Sequence, residues 1–409
     1  MNDSVRAQYE AYPYPPRDPA DEAKRLIVGS PSHVLEIDHH VFAGRRDFSR
    51  PFRALFAGGG TGDGTIMLAQ QLADRGAAAE IVHLDLAAAA QDVARARAAA
   101  RGLDRVRFVR GSLLDLPALG LGTFDYIDCC GVLHHLDDPL AGLKALAGAL
   151  ADDGGMGLMV YAPLGRTGVY PLQALLRTLA GNAPPPDQVA VARRLLDQLP
   201  ATNWFKRNPH VQDHANLGDA GLYDLLLHSR DRAFTVMELA GMIGAARLRI
   251  VGFVDPVRYE PSAYLTDRDL LARLAHLQPL ERCAFAEYLV GNMKTHAVYV
   301  VKAANRSETV AQPDGPDAVP VMRDGDGPAF AARIRDNRVV RLHYDGIDIR
   351  LPLPPLSPAI VALIDGRRSL GEIHAALSPP VDWPEFKRAF DTLYLTMHAH
   401  GGMFVRRKG

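Results

Sequence analysis

Between residues 51 and 163 short apolar runs alternate with helix-patterned stretches, and this alternation restricts the fold more than any other feature. The apolar runs are "FRALFAG" (52–58), "EIVHLDL" (80–86), "VRFVR" (106–110), "FDYIDCC" (124–130) and "MGLMVYA" (156–162). Between them lie "GTIMLAQQLADRG", "AAAAQDVARARAAARG" and "DPLAGLKALAGAL", rich in strong helix formers. Continuous apolar strands separated by helices predict a parallel sheet covered on both faces. Ligands of such sheets bind beyond the carboxyl ends of the strands, where strand order reverses. Functional residues are therefore expected just after each strand.

The first strand runs into "FAGGGTGDG" (56–64). A dinucleotide fingerprint needs G-x-G-x-x-G, but the third glycine position is occupied by Asp63. A P-loop needs a lysine after its last glycine, and Thr65 stands there. What remains is G-x-G-x-G at Gly58, Gly60 and Gly62, feeding a helix N-terminus whose free N–H groups can bind a carboxylate. Asp85 ends the second strand, where an acid can accept both hydroxyls of a ribose. Its alternative role is to cap the following helix. Together they suit a ligand with a nucleoside and a carboxylate but no phosphate.

Beyond the core, 164–242 reads as mostly helical, broken by "GNAPPPDQ". "LRIVGFV" (248–254) and "HAVYVVKA" (296–303) read as strands flanking another helical stretch. Residues 305–328, polar and rich in Pro and Gly, read as a linker. A last unit opens with an alternating hairpin pattern turning at Asp345-Gly346, followed by helical patterns. With 409 residues the chain exceeds what one core normally serves, so two domains are expected. A net charge of −1 argues against nucleic acid or anionic membrane as partner. No apolar run approaches the roughly 18 residues of a membrane span. Cys129, Cys130 and Cys283 show no metal-like spacing, no other metal cluster is legible, and the expected location is the cytoplasm.

Five segments in order and spacing, "ALFAGGGTGDGT", "IVHLDLA", "VRFVRGSLLDLP", "FDYIDCCGVLHHLDDP" and "LADDGGMGLMVYA", resemble the class I S-adenosylmethionine-dependent methyltransferases. The resemblance covers about residues 53–162 and implies S-adenosylmethionine as cofactor. It also implies an α/β fold, a Rossmann-like doubly wound sheet of seven strands with helical cap insertions, its last strand antiparallel. By position it assigns Gly58, Gly59, Gly60, Gly62 and Asp63 to the methionine part, and Asp85 and Leu86 to the ribose. Ser112 and Leu113 would flank the adenine, while Cys130, Gly131 and Val132 would lie beside the sulfonium. One position departs from the pattern: Phe56 stands where the family usually has Asp or Glu.

"QYEAYPYPPR" resembles a segment preceding the core in some of these enzymes. It reads as a lid, with Tyr9 and Tyr14 over the cofactor, or as an arm packed for stability. The catalytic candidates are His134 as a base, Tyr161 after the fifth strand and His214 in the cap; Asp213 and His228 are further acceptor contacts. His39 and His40 read as packing or substrate-rim residues.

The C-terminal segment is similar to small α+β winged-helix domains of the peptide-chaperone type found in pyrroloquinoline-quinone biosynthesis. Residues 321–409 carry 13 Lys/Arg against 10 Asp/Glu, about +3 net, a weak basic balance for nucleic-acid binding. Leader-peptide binding by strand addition, dimerisation, or an intramolecular brace are its candidate roles. The expected organisation is an arm at 1–50, a methyltransferase domain at 51–304 with cap segments near 164–245 and 257–293, a linker at 305–328 and a winged-helix-like domain at 329–409. The function expected is methyl transfer to a peptide or protein. A small-metabolite acceptor and a non-catalytic cofactor-binding regulator are the alternatives.

Overall fold

The computed structural model describes residues 3–407. Its main sheet has the strand order β3-β2-β1-β4-β5-β7-β6. The strands are β1 (Phe52–Ala57), β2 (Ala79–Asp85), β3 (Val106–Arg110), β4 (Phe124–Cys130), β5 (Leu150–Tyr161), β6 (Leu248–Phe253) and β7 (Thr295–Lys302). β1 to β5 pair in parallel, and β7 runs antiparallel between β5 and β6. This is the seven-stranded sheet expected from the sequence. β5 begins six residues earlier than the apolar run suggested, because Leu150 pairs with Phe124 across an irregularity in register.

The sheet is buried on both faces. One core gathers Leu55, Val82, Ile127, Leu158 and Val300 with the helices Pro139–Ala149 and Val236–Ala245. The opposite face packs Phe52, Phe56, Leu68 and Tyr126 against α2 (Val34–Val41) and α3 (Asp63–Ala73). Strand order reverses between β1 and β4, so their carboxyl ends and those of β2 and β5 surround one crevice. Helices Val169–Ala180 and Pro185–Gln198 build a cap with a hydrophobic cluster of its own. The "PPP" break of this region begins the second of these helices, since proline is well tolerated in a first helical turn.

The stretch read as a linker contains a strand, β8 (Ala318–Met322), paired antiparallel with the terminal strand β11 (Met403–Arg407). Pro320 hid it, because proline within a strand pattern fits only an edge. The hairpin β9 (Val339–Tyr344) and β10 (Ile347–Pro352) forms a separate two-stranded sheet. Its turn has Asp345 at φ 45° and Gly346 at φ 87°, as a two-residue hairpin requires. The C-terminal unit is fused to the core rather than hung from it. Phe404 of β11 shares a buried cluster with Val34, Ile37 and Tyr299. His39 and His40 lie in that junction, His40 stacked on Tyr299 and His39 against His398 and Phe404, which is a packing role.

Candidate active site

A cavity of about 670 Å³ opens at the carboxyl ends of β1, β2, β4 and β5. The glycine turn forms its floor. Gly58 and Gly60 have φ of 82° and 53°, backbone that residues with a Cβ rarely adopt. The Gly60 N–H donates to Asp85 Oδ2 at 2.8 Å, and the Ala87 N–H donates to Oδ1 at 2.9 Å. Burial pushes the Asp85 carboxyl above its ordinary range, while these N–H groups pull it back. Each carboxylate oxygen holds one internal donor and keeps a lone pair for a diol.

The helix-cap role considered for Asp85 falls to another residue. α4 (Ala88–Ala100) begins after Ala87, which has no capping side chain. Glu10 of α1 (Asp3–Ala11) accepts the N–H groups of Ala88 and Ala89 at 2.9 and 3.0 Å. The N-terminal arm thus crosses the cavity and caps a core helix. Thr61 donates to the Pro15 carbonyl at 2.7 Å, and Arg17 pairs with Asp63 at 2.6 Å. Burial would raise the Asp63 carboxyl, but Arg17 and Arg97 hold it below its ordinary value.

Of the residues the sequence assigned to the cofactor, Gly58, Gly59, Gly60, Asp63, Asp85 and Leu86 line this cavity. So do Ser112, Leu113, Cys130, Gly131, Val132, Tyr9 and Tyr14. Gly62 does not. It precedes α3 at φ 97°, and a Cβ there would meet that of Ala94 on α4 at 2.9 Å, so it serves helix packing. Ser112 accepts the Leu114 N–H at 3.0 Å and starts a short turn at the cavity wall.

At the other end the catalytic candidates separate. Tyr161 lines the cavity, and its hydroxyl donates to Asp224 Oδ2 at 3.0 Å. His134 does not line it. Its ring stacks behind Tyr161 at 3.9 Å, and its Nδ1 accepts the Tyr161 N–H at 3.3 Å. Burial keeps that imidazole neutral, far below its ordinary pKa. His214 lies outside the cavity as well, its ring 4.9 Å from Phe205. The neighbouring His135 faces the cavity instead. Its Nδ1 lies 2.7 Å from the Arg230 carbonyl, which can only accept, so Nδ1 carries the proton and Nε2 keeps a lone pair.

Two further residues complete this end. Asp224, buried, also accepts the Tyr9 hydroxyl at 3.0 Å. Burial raises its carboxyl, opposed by His135, both tyrosines and Arg166. His228 accepts the Arg230 N–H on Nδ1 at 3.0 Å, leaving Nε2 as donor to the Tyr9 oxygen at 3.3 Å. His135 and His228 stack at 3.7 Å. The ligating atoms of His135, Asp224 and His228 lie within 4.8 Å of one another. Hydroxyl and backbone partners occupy Asp224 and His228, so we read the trio as a hydrogen-bonded wall. Asp224 was missed because "GLYDLLL" reads as an amphipathic helix in which one acid signals solvent.

A doubly wound sheet with a phosphate-free glycine turn, an acid after its second strand and a roofed cavity defines a nucleoside-dependent transferase of the methyltransferase type. Residues 55–156 match the family described as "Methyltransferase domain". The chain is 34% identical over 300 residues to an uncharacterized protein, syc1184_c, of Synechococcus sp., spanning 71% of this chain and 69% of that one. Its fold is similar to the structure of PKMT2 from Rickettsia typhi in complex with AdoHcy, with a TM-score of 0.61 at 14% identity over 97% of this chain and 76% of that one. A second structure of PKMT2 gives a TM-score of 0.59 at 12% identity over 87% of this chain and 71% of that one. The chain belongs to the class I S-adenosylmethionine-dependent methyltransferases, and S-adenosylmethionine is its cofactor. The N-terminus of α3, which has no side-chain cap, and the free lone pairs of Asp85 fit that molecule's amino-acid and ribose parts.

Proposed function

We propose that this enzyme methylates an amine nitrogen of a peptide or protein. The observation that carries the reading is the end of the cavity built from Asp224, Tyr9 and Tyr161, with His135 Nε2 beside it. A carboxylate among aromatic rings attracts an ammonium group by charge and by ring faces. The Nε2 lone pair of His135 then takes the proton that must leave before nitrogen attacks. The cofactor supplies an activated methyl on sulfur. The chain's own work is to hold donor and amine in line, a positioning effect that can supply about 7–11 kcal/mol of the barrier. The arm, anchored by Arg17 and Glu10, serves as the lid that excludes water. The similarity in fold to PKMT2 supports a protein acceptor.

A small amine is the second reading, favoured by Asp213 and Leu217 of the cap, which also line the cavity. Incubating the enzyme with methyl-tritiated cofactor and cell lysate separates the two. Label is expected in protein, recovered as methylated amine after hydrolysis. Label confined to small molecules would replace the protein acceptor by the second reading.

A further inference from the structure

We propose that Asp128 is the binding partner of the α-ammonium group of S-adenosylmethionine, so that β4 rather than the glycine turn supplies the negative charge of that subsite. The inference rests on the cofactor assignment above.

Phe56 and Asp128 are register partners on the adjacent parallel strands β1 and β4, and both line the cavity. Phe56, at the end of β1, offers only a ring. A Cβ placed on Gly64, in the first turn of α3, would meet that ring at 2.8 Å and lie 3.9 Å from Asp128 Oδ2. The Asp128 carboxylate therefore sits beside the glycine turn, where the amino-acid part of the cofactor must lie.

Its partners are all uncharged: a hydroxyl, a thiol and the Cys130 backbone N–H. Ser32 donates to Oδ2 at 2.5 Å and Cys130 Sγ at 3.3 Å. Ser32 is held at φ 93° to do so, its N–H given to the Tyr299 hydroxyl at 3.2 Å. Among the described residues no Lys, Arg or His forms an ion pair with Asp128. Of the neighbouring acids, Asp63 is paired with Arg17 and Arg97, and Asp85, oriented by two backbone N–H groups, faces the ribose side of the assigned cofactor. A carboxylate only 8% exposed and without a cation is costly unless its partner arrives with the ligand. S-adenosylmethionine brings one ammonium, which needs an acceptor, whereas the N–H groups of Gly58, Gly59, Gly60 and Gly62 are donors already engaged with Leu84, Asp85 and Gly59.

The test uses calorimetry with two probes. One is S-adenosylhomocysteine. The other is 5′-S-(3-carboxypropyl)-5′-thioadenosine, which keeps adenosine, thioether and carboxylate but lacks the α-ammonium. Asp128→Asn should weaken the first about 10- to 100-fold, as loss of a charge-assisted hydrogen bond implies, and change the second less than threefold. Equal losses for both probes, or none, would overturn the proposal. A wild-type protein that binds neither would instead remove the cofactor assignment. Should Asp128→Asn not fold, the exchange Phe56→Asp with Asp128→Val moves the acid to its register neighbour. It should still favour S-adenosylhomocysteine over the des-amino probe by more than tenfold; no preference would contradict the subsite.

Discussion

Arg17 of the N-terminal arm grips Asp63 at the start of α3, its Nε 2.9 Å from Oδ1 and its Nη2 2.6 Å from Oδ2. The same carboxylate accepts Arg97 Nη1 at 2.7 Å, so arm, glycine turn and α4 meet at one acid. Both members of the Arg17 pair are about a quarter exposed, which limits its worth to folding. Arg17→Ala should therefore leave the melting temperature within about 2 °C of wild type, while cofactor dissociation accelerates about tenfold as the lid loosens. Stopped-flow fluorescence measures that rate. An unchanged rate would make the arm a passive strap.

Asp85 joins the turn to the ribose side. In Asp85→Ala the Gly60 and Ala87 N–H groups lose their acceptor along with the diol. Two hydrogen bonds to a charged group predict a loss of cofactor affinity on the order of 100-fold or more. An unaltered dissociation constant in a folded variant would remove the ribose role.

His135 and His134 should behave differently. His135→Gln deletes the lone pair facing the acceptor and should lower kcat about 100-fold with cofactor affinity intact. His134→Gln alters the packing behind Tyr161 and the acceptor of the Tyr161 N–H, not a group facing the cavity, so a melting shift with most activity retained is expected. Equal kcat losses for the two variants would deny His135 its role.

Asp128 also makes a stability prediction. Burial pushes its carboxyl up to about 6 from an ordinary 3.8. The folded state then holds the proton more tightly than the unfolded state, so stability is lost as pH rises from 3.8 through about 6. Asp128→Asn removes that loss. The variant without cofactor should melt above wild type at pH 7.5, with the gap closing near pH 4. A gap independent of pH would contradict the burial argument.

The sheet was legible because each strand is a short apolar run and each helix a run of good helix formers, signals that act locally. Gly58, Gly60 and Asp85 were legible because turn chemistry and strand ends constrain their residue types. Other site residues depend on tertiary structure. Which of two adjacent histidines faces the cavity is decided by the short turn Leu133–His135 and by the Arg230 carbonyl, 95 positions away from His135. Glu10 caps α4 across 78 positions, and no local pattern announces a cap supplied from so far. Asp128 sits inside a strand whose neighbours are apolar, and only its register with Phe56 gives it meaning. β8 was hidden by Pro320 and by a partner strand at the opposite end of the unit.

The central claim, that this cavity is a site for S-adenosylmethionine, is tested most directly by titrating S-adenosylhomocysteine into the 409-residue protein in a calorimeter. One molecule per chain is predicted to bind, with a micromolar dissociation constant that Asp85→Ala raises. No binding heat up to millimolar ligand, from protein that melts cooperatively, would contradict it.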